Sequence, residues 1–151
     1  MKKRIVLTAL TLSVMAVIFL FSSQTGSESE GMSEGLQGGL AALLSNILGG
    51  GELLDKLISG SEFIVRKSAH FTLFLLLGLF AAPTFKNYGI EKRYLLTAVI
   101  FCFIYAVSDE THQYFVEGRS SEFRDVLIDT AGSAAGIFMY RFISARRRSV
   151  S

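Results

Sequence analysis

Four apolar stretches, each close to the length that crosses a bilayer, constrain this chain more than any other feature. They run from Ile5 to Phe21, from Ser68 to about Phe85, from Tyr94 to Val107 with helix expected on to His112, and from Val126 to Ile143. A hydrocarbon core of roughly 30 Å takes about 20 helical residues. A segment in lipid must satisfy its own backbone polar groups, which leaves helices and closed barrels. No run of alternating residues marks barrel strands. The expected fold is therefore all-α, an integral membrane four-helix bundle in one domain, residues 1–151, with spans at about 5–21, 68–85, 94–112 and 126–143. Half of the residues are hydrophobic and only 19% are charged, a balance rare in soluble domains, whose surface must be hydrated. Pro83, the only proline, is expected to end the second span. Cys102, the single cysteine, excludes an intrachain disulfide and reads as a small buried hydrophobe.

Lys2, Lys3 and Arg4 before an apolar stretch also fit a secretory signal peptide. The stretch is long for one, and Leu20 to Gln24 contains no Ala-x-Ala site, so an uncleaved anchor is expected. Orientation follows from Lys and Arg near the helix ends. Met1–Arg4, Lys86–Arg93 and the tail after Arg141 are basic, whereas Ser22–Lys67 and Ser108–Asp125 are mostly acidic. Both termini are thus expected in the cytoplasm. The outer segment, 33–66, reads as amphipathic helix. Leu36, Leu40, Leu43, Leu44, Ile47 and Leu48 recur at helical spacing from a Ser33 cap, and Leu53, Leu54, Leu57 and Ile58 follow the Gly49-Gly50-Gly51 break. Such helices either lie in the membrane interface and pack over the bundle, or form a lid over an external site.

Ionisable residues from three separate stretches meet at one depth under this topology. Arg66, Lys67 and His70 open the second span, and Asp109, Glu110, His112 and Gln113 close the third. Arg119, Arg124, Asp125 and Asp129 lead into the fourth. Arg66 and His70 share a helical face, and Asp109 and His112 are close enough in sequence to hydrogen-bond. Asp125, Asp129, Gly132 and Gly136 fall on one face of the fourth span. The Gly132-x-x-x-Gly136 spacing permits close helix contact, so the acids should face the same partner helix. Asp129 lies about one turn inside the membrane, where an unpaired carboxylate costs a few kcal/mol. His70, His112, Arg66 and Arg119 are its candidate partners. A structural ion network is the plain reading of these groups, and a ligand site is the sharper one.

Four stretches here resemble the VanZ-like family of bacterial membrane proteins. They are Arg66-Lys67-Ser68-Ala69-His70-Phe71, Ser108-Asp109-Glu110-Thr111-His112-Gln113, Gly118-Arg119, and Asp125-Val126-Leu127-Ile128-Asp129-Thr130-Ala131-Gly132. Ser22-Ser23-Gln24 after the first span fits the pattern too. The resemblance covers nearly the whole chain and is most specific from Asp109 to Gly132. Leu73 departs from it, standing where many members place an acid after the His-Phe pair, as does Glu117, which precedes Gly118 where a proline is common. The resemblance implies a multi-pass protein of the bacterial cell membrane. The family's named member is associated with low-level resistance to the glycopeptide teicoplanin.

Two functions compete. A non-enzymatic envelope protein would bind an anionic lipid or a lipid-linked cell-wall group through Arg66, Lys67 and Arg119, oriented by Asp109, Asp125 and Asp129. Alternatively, a membrane-embedded hydrolase or transferase would draw a base, a nucleophile or a divalent metal site from the histidines and carboxylates, and a metal would need His70 and His112 at one ion. Neither a His-Glu-x-x-His pair nor a serine elbow is present. No catalytic residue, metal or cofactor is therefore assigned, and the binding reading is preferred. Four short helices without a broken span make a poor alternating-access transporter. The expected partners are membrane lipids, a lipid-linked cell-wall precursor and a second copy through helix faces. Nucleic acid is not expected as a partner.

Overall fold

A computed structural model describes residues 1–48, 62–90 and 92–149. Among them every regular element is helical: α1 Lys2–Ser22, α2 Gly26–Leu48, α3 Glu62–Asn87, α4 Tyr94–Tyr114 and α5 Phe123–Ser149. Four are long and apolar enough to cross a membrane: α1, α3 from Ile64, α4, and α5 to Arg147. Large apolar side chains stay exposed on them, among them Ile5 and Leu20 of α1, Ile104 of α4, and Phe138 and Phe142 of α5. A soluble fold would bury such residues, whereas a span presents them to hydrocarbon.

Contacts at the helix ends establish an antiparallel order. Arg4 lies over the Tyr88 ring at 5.6 Å, and Lys86 lies over the rings of Tyr94 and Tyr140. The start of α1, the α3–α4 turn and the last part of α5 therefore share one end of the bundle. Ser22 bonds to Asp109 and Lys67 to Asp125, which gathers the other ends of the same four helices. The start of α1 and the last part of α5 accordingly lie at one end, with Arg4 and Lys86, and the polar candidates lie at the opposite end.

Helix α3 is central, packing on α1, α4 and α5. Its contact with α5 is the closest in the bundle. A Cβ at Gly136 would sit 2.0 Å from the Leu75 carbonyl oxygen, one at Gly132 2.5 Å from that of Phe71, and one at Gly78 2.0 Å from that of Ser133. Backbones can approach this far only where side chains are absent. Small buried residues, Ala81, Ala82, Ala98, Cys102 and Ala106, continue that core around Phe74, Leu77 and Ile137. Hydroxyls join α1 to its neighbours. Thr11 and Thr84 share a hydrogen bond of 3.1 Å, and Tyr105 donates to the Met15 carbonyl at 2.7 Å.

Two local expectations differ from the structure. The third helix continues through Pro83 to Asn87. Pro83 removes only the bond that its missing N–H would make to Leu79, while the Asn87 side-chain Nδ2 donates to the Pro83 carbonyl at 2.7 Å and the Thr84 hydroxyl to the Phe80 carbonyl at 2.8 Å. Helix α2 starts at Gly26 rather than at a Ser33 cap. Thr25 and Glu28 form a reciprocal capping box: the Thr25 amide and hydroxyl both donate to Glu28 Oε2 at 2.9 Å. These bonds, the backbone one foremost, hold the Glu28 carboxyl below its ordinary value. Ser33 instead lies within the helix, bonded to the Ser29 carbonyl. Among the described side chains of α2, the polar Ser29, Ser33 and Gln37 are buried, while Leu36 and Leu43 are exposed. The Gly49–Gly51 break and the Leu53–Ile58 stripe lie outside the described residues.

Candidate functional site

The polar end of the bundle is assembled from α1, α3, α4, α5 and the loop between α4 and α5. Asp109 and Gln113 are four residues apart on α4, so they share its inward face. Both are buried. Ser22 at the end of α1 donates to Asp109 Oδ2 at 2.8 Å, and Gln113 Nε2 donates to the same oxygen at 3.0 Å. From α5, Asp125 pairs with Lys67 of α3. One turn deeper, Asp129 Oδ2 lies 3.9 Å from His70 Nδ1. Asp125, Asp129, Gly132 and Gly136 all meet α3, the arrangement that their spacing implies. Among the candidate partners of Asp129, the structure selects His70.

Arg119 is bonded to the chain around it. Its Nε donates to the Gln24 carbonyl at 3.1 Å, one terminal nitrogen to the Phe21 carbonyl at 3.0 Å, and the other to Gln113 Oε1 at 3.4 Å. It thereby caps the end of α1, where helix carbonyls lack intrahelical donors. Burial, followed by the nearby Arg66 charge, pulls its guanidinium below its ordinary value. Gly118, at φ +72°, turns the chain into it in a backbone region favoured by glycine. The Gly26 amide bonds to the Glu117 carbonyl at 3.0 Å, which seats the start of α2 on this loop.

Two candidates lie apart from the cluster. His112 is on another face of α4, stacked on Phe19 at 4.7 Å and sharing a 3.0 Å hydrogen bond with Ser23. It makes no bond to Asp109, whose partners are Ser22 and Gln113. Arg124 is exposed. Glu110 accepts the Glu122 amide at 2.7 Å and so pins the start of α5. Ser22 and the Gln24 carbonyl are participants that sequence reasoning left out of the candidate set. Their signal was the polar triplet Ser22-Ser23-Gln24 directly behind an apolar span.

Two cavities adjoin the cluster. A small one, with room for about one water-sized body at ≈ 10 Å³, is lined by Arg66, Lys67, His70, Glu110, Gln113, Arg119, Asp125, Ile128 and Asp129. A larger one of ≈ 600 Å³ lies between α2 and α3 and is mostly apolar, with Phe21, Met32, Leu36, Val65 and Leu73 in its walls. Arg66, His70 and Arg119 line both. Arg66 reaches towards Glu30 of α2 at 3.9 Å, and its buried Nε makes no hydrogen bond among the described residues. The site thus joins an apolar recess to a row of fixed charges.

Comparison with known proteins agrees with the resemblance. A family model described as VanZ/LLP1 matches residues 7–144, a stretch that contains every residue of the cluster. No curated protein and no solved structure matches the chain.

Proposed function

The chain belongs to the VanZ/LLP1 family, and we propose that it binds an anionic lipid or a lipid-linked cell-wall phosphate, with the head group at Arg66 and the hydrocarbon in the adjoining cavity. The observation that carries this reading is the continuity of the ≈ 600 Å³ apolar cavity with the polar cluster through Arg66, His70 and Arg119. An amphiphile needs both environments side by side. Arg66 is the strongest head-group ligand, because Lys67 is paired with Asp125 and three Arg119 donors hold other partners. A guanidinium with a donor to spare suits the charge and geometry of phosphate. Leu73 contributes an apolar side chain to the cavity wall.

In this reading the protein sits in the bacterial cell membrane with its basic end in the cytoplasm, following the excess of Lys and Arg there. The polar end then faces outwards, where lipid-linked cell-wall precursors are used. Holding such precursors would alter how much of them a glycopeptide reaches, which accommodates the association of the family's named member with teicoplanin resistance. The test is lipid binding by the protein in phosphatidylcholine nanodiscs, with a polyprenyl phosphate or phosphatidylglycerol as the added ligand. Losing a charged hydrogen bond costs about 1.5–3 kcal/mol, so Arg66→Ala should weaken binding about ten- to a hundredfold. Unchanged affinity in this variant would sink the reading.

A further inference from the structure

We propose that His70, Asp109 and Asp129 form a binding site for a divalent transition-metal ion, with Mn²⁺ and Zn²⁺ as the fitting ions. The three residues come from α3, α4 and α5, and one ligand atom from each lies within 4.8 Å of the other two. Sequence spacing does not reveal such a set, because no two of the ligands share a helix. The site stands independently of lipid binding.

Buried oxygens point to an ion. Asp129 is 1% exposed and Asp109 3%, yet among the described residues Asp109 Oδ1 has no hydrogen-bond partner and Asp129 Oδ2 has none nearer than His70 Nδ1 at 3.9 Å. Buried carboxylate oxygens normally find a donor or a cation. The second Asp109 oxygen is already held by Ser22 and Gln113. This leaves Oδ1 as the free donor on an oriented carboxylate, the arrangement that outer hydrogen bonds give to metal ligands. His70 and Asp129, though not Asp109, also line the cavity of ≈ 10 Å³.

The donor set selects the ion class. One imidazole nitrogen with two carboxylate oxygens suits borderline ions and disfavours soft Cu(I), while a divalent charge balances the two carboxylates. Metal–ligand distances of roughly 2.0–2.2 Å require the side chains to close in by about an ångström, a shift that side-chain rotation supplies. Three protein ligands leave a coordination position open. His70 lines both cavities, so that position lies near the junction of the polar cluster with the apolar recess.

The test uses full-length protein in detergent, stripped with a chelator and titrated calorimetrically with MnCl₂ and with ZnCl₂. One equivalent of at least one ion should bind, and Asp109→Asn and Asp129→Asn should each weaken it tenfold or more. His112→Ala, at the histidine outside the cluster, should bind as the wild type does. A second measurement needs no variant: Mn²⁺ bound to wild-type protein should show hyperfine coupling to a single ¹⁴N, from His70. The proposal is overturned if neither ion binds stoichiometrically, if both Asn variants keep full affinity, or if bound Mn²⁺ lacks the nitrogen coupling. Loss of metal with polyprenyl phosphate binding intact would remove the metal site alone. Loss of lipid binding in Arg66→Ala with metal intact would leave the metal site standing.

Discussion

Lys67 and Asp125 meet between α3 and α5 with 21% and 12% of their side chains exposed. Two charges taken this far out of water depend on each other, and removing one leaves the other desolvated and unpaired. Lys67→Ala should therefore destabilise the protein by about 3 kcal/mol, the low end of the range for buried pairs because some exposure remains. Replacing both residues, as Lys67→Met with Asp125→Leu, should recover most of that loss. Reversible unfolding in mixed micelles would measure both. A double replacement as unstable as the single one would contradict the account. The same reasoning distinguishes the residues of the cluster. Arg119 ties the end of α1 to the α4–α5 loop, while Arg66, on the cavity side, keeps an unbonded nitrogen.

At the scale of elements, the α3–α5 contact depends on absent side chains. Adding a Cβ at Gly136 places it 2.0 Å from one α3 backbone atom and 2.8 Å from another. Backbone cannot rotate away as a side chain can, so the two helices must separate. Overpacking of this kind typically costs about 1–3 kcal/mol, and Gly136→Ala should fall in that range. A Cβ added at Gly38 of α2 would meet none of the described residues within 4 Å. Gly38→Ala should be neutral or stabilising by up to about 1 kcal/mol, since alanine is the better helix former. Unfolding of the two variants side by side separates contact from propensity. Equal effects would show that the glycines act through helix propensity alone. Helix α2 adds a second lesson at this scale. Its leucine spacing marks a helix, and among the described side chains the buried ones include Ser29, Ser33 and Gln37 rather than Leu36 or Leu43.

For the molecule as a whole, the antiparallel order brings Lys2, Lys3 and Arg4 to the same end as Lys86, Arg93 and Arg146. In the proposed orientation this basic end faces the cytoplasm. A cysteine introduced at Tyr88 should be protected from a membrane-impermeant maleimide in intact cells, and one introduced at Phe115 should react. Both positions are exposed on the protein, and the native Cys102 is buried. The reverse labelling pattern would invert the topology and place the polar cluster in the cytoplasm.

Apolar runs of spanning length determine four helices without tertiary information, because a backbone in lipid must hydrogen-bond within its own segment. The spacing of Asp125, Asp129, Gly132 and Gly136 likewise determined that one face of α5 meets one partner. Spacing could not identify that partner as α3, nor turn His112 away from Asp109, nor bring Ser22 from the far end of the sequence to Asp109. Those outcomes depend on how three other helices rotate and approach, which close glycine contacts and buried hydrogen bonds decide together. The same packing determines which charges are satisfied within the chain and leaves Arg66 beside an apolar cavity, so only the tertiary structure separates a cluster of charges from a candidate site.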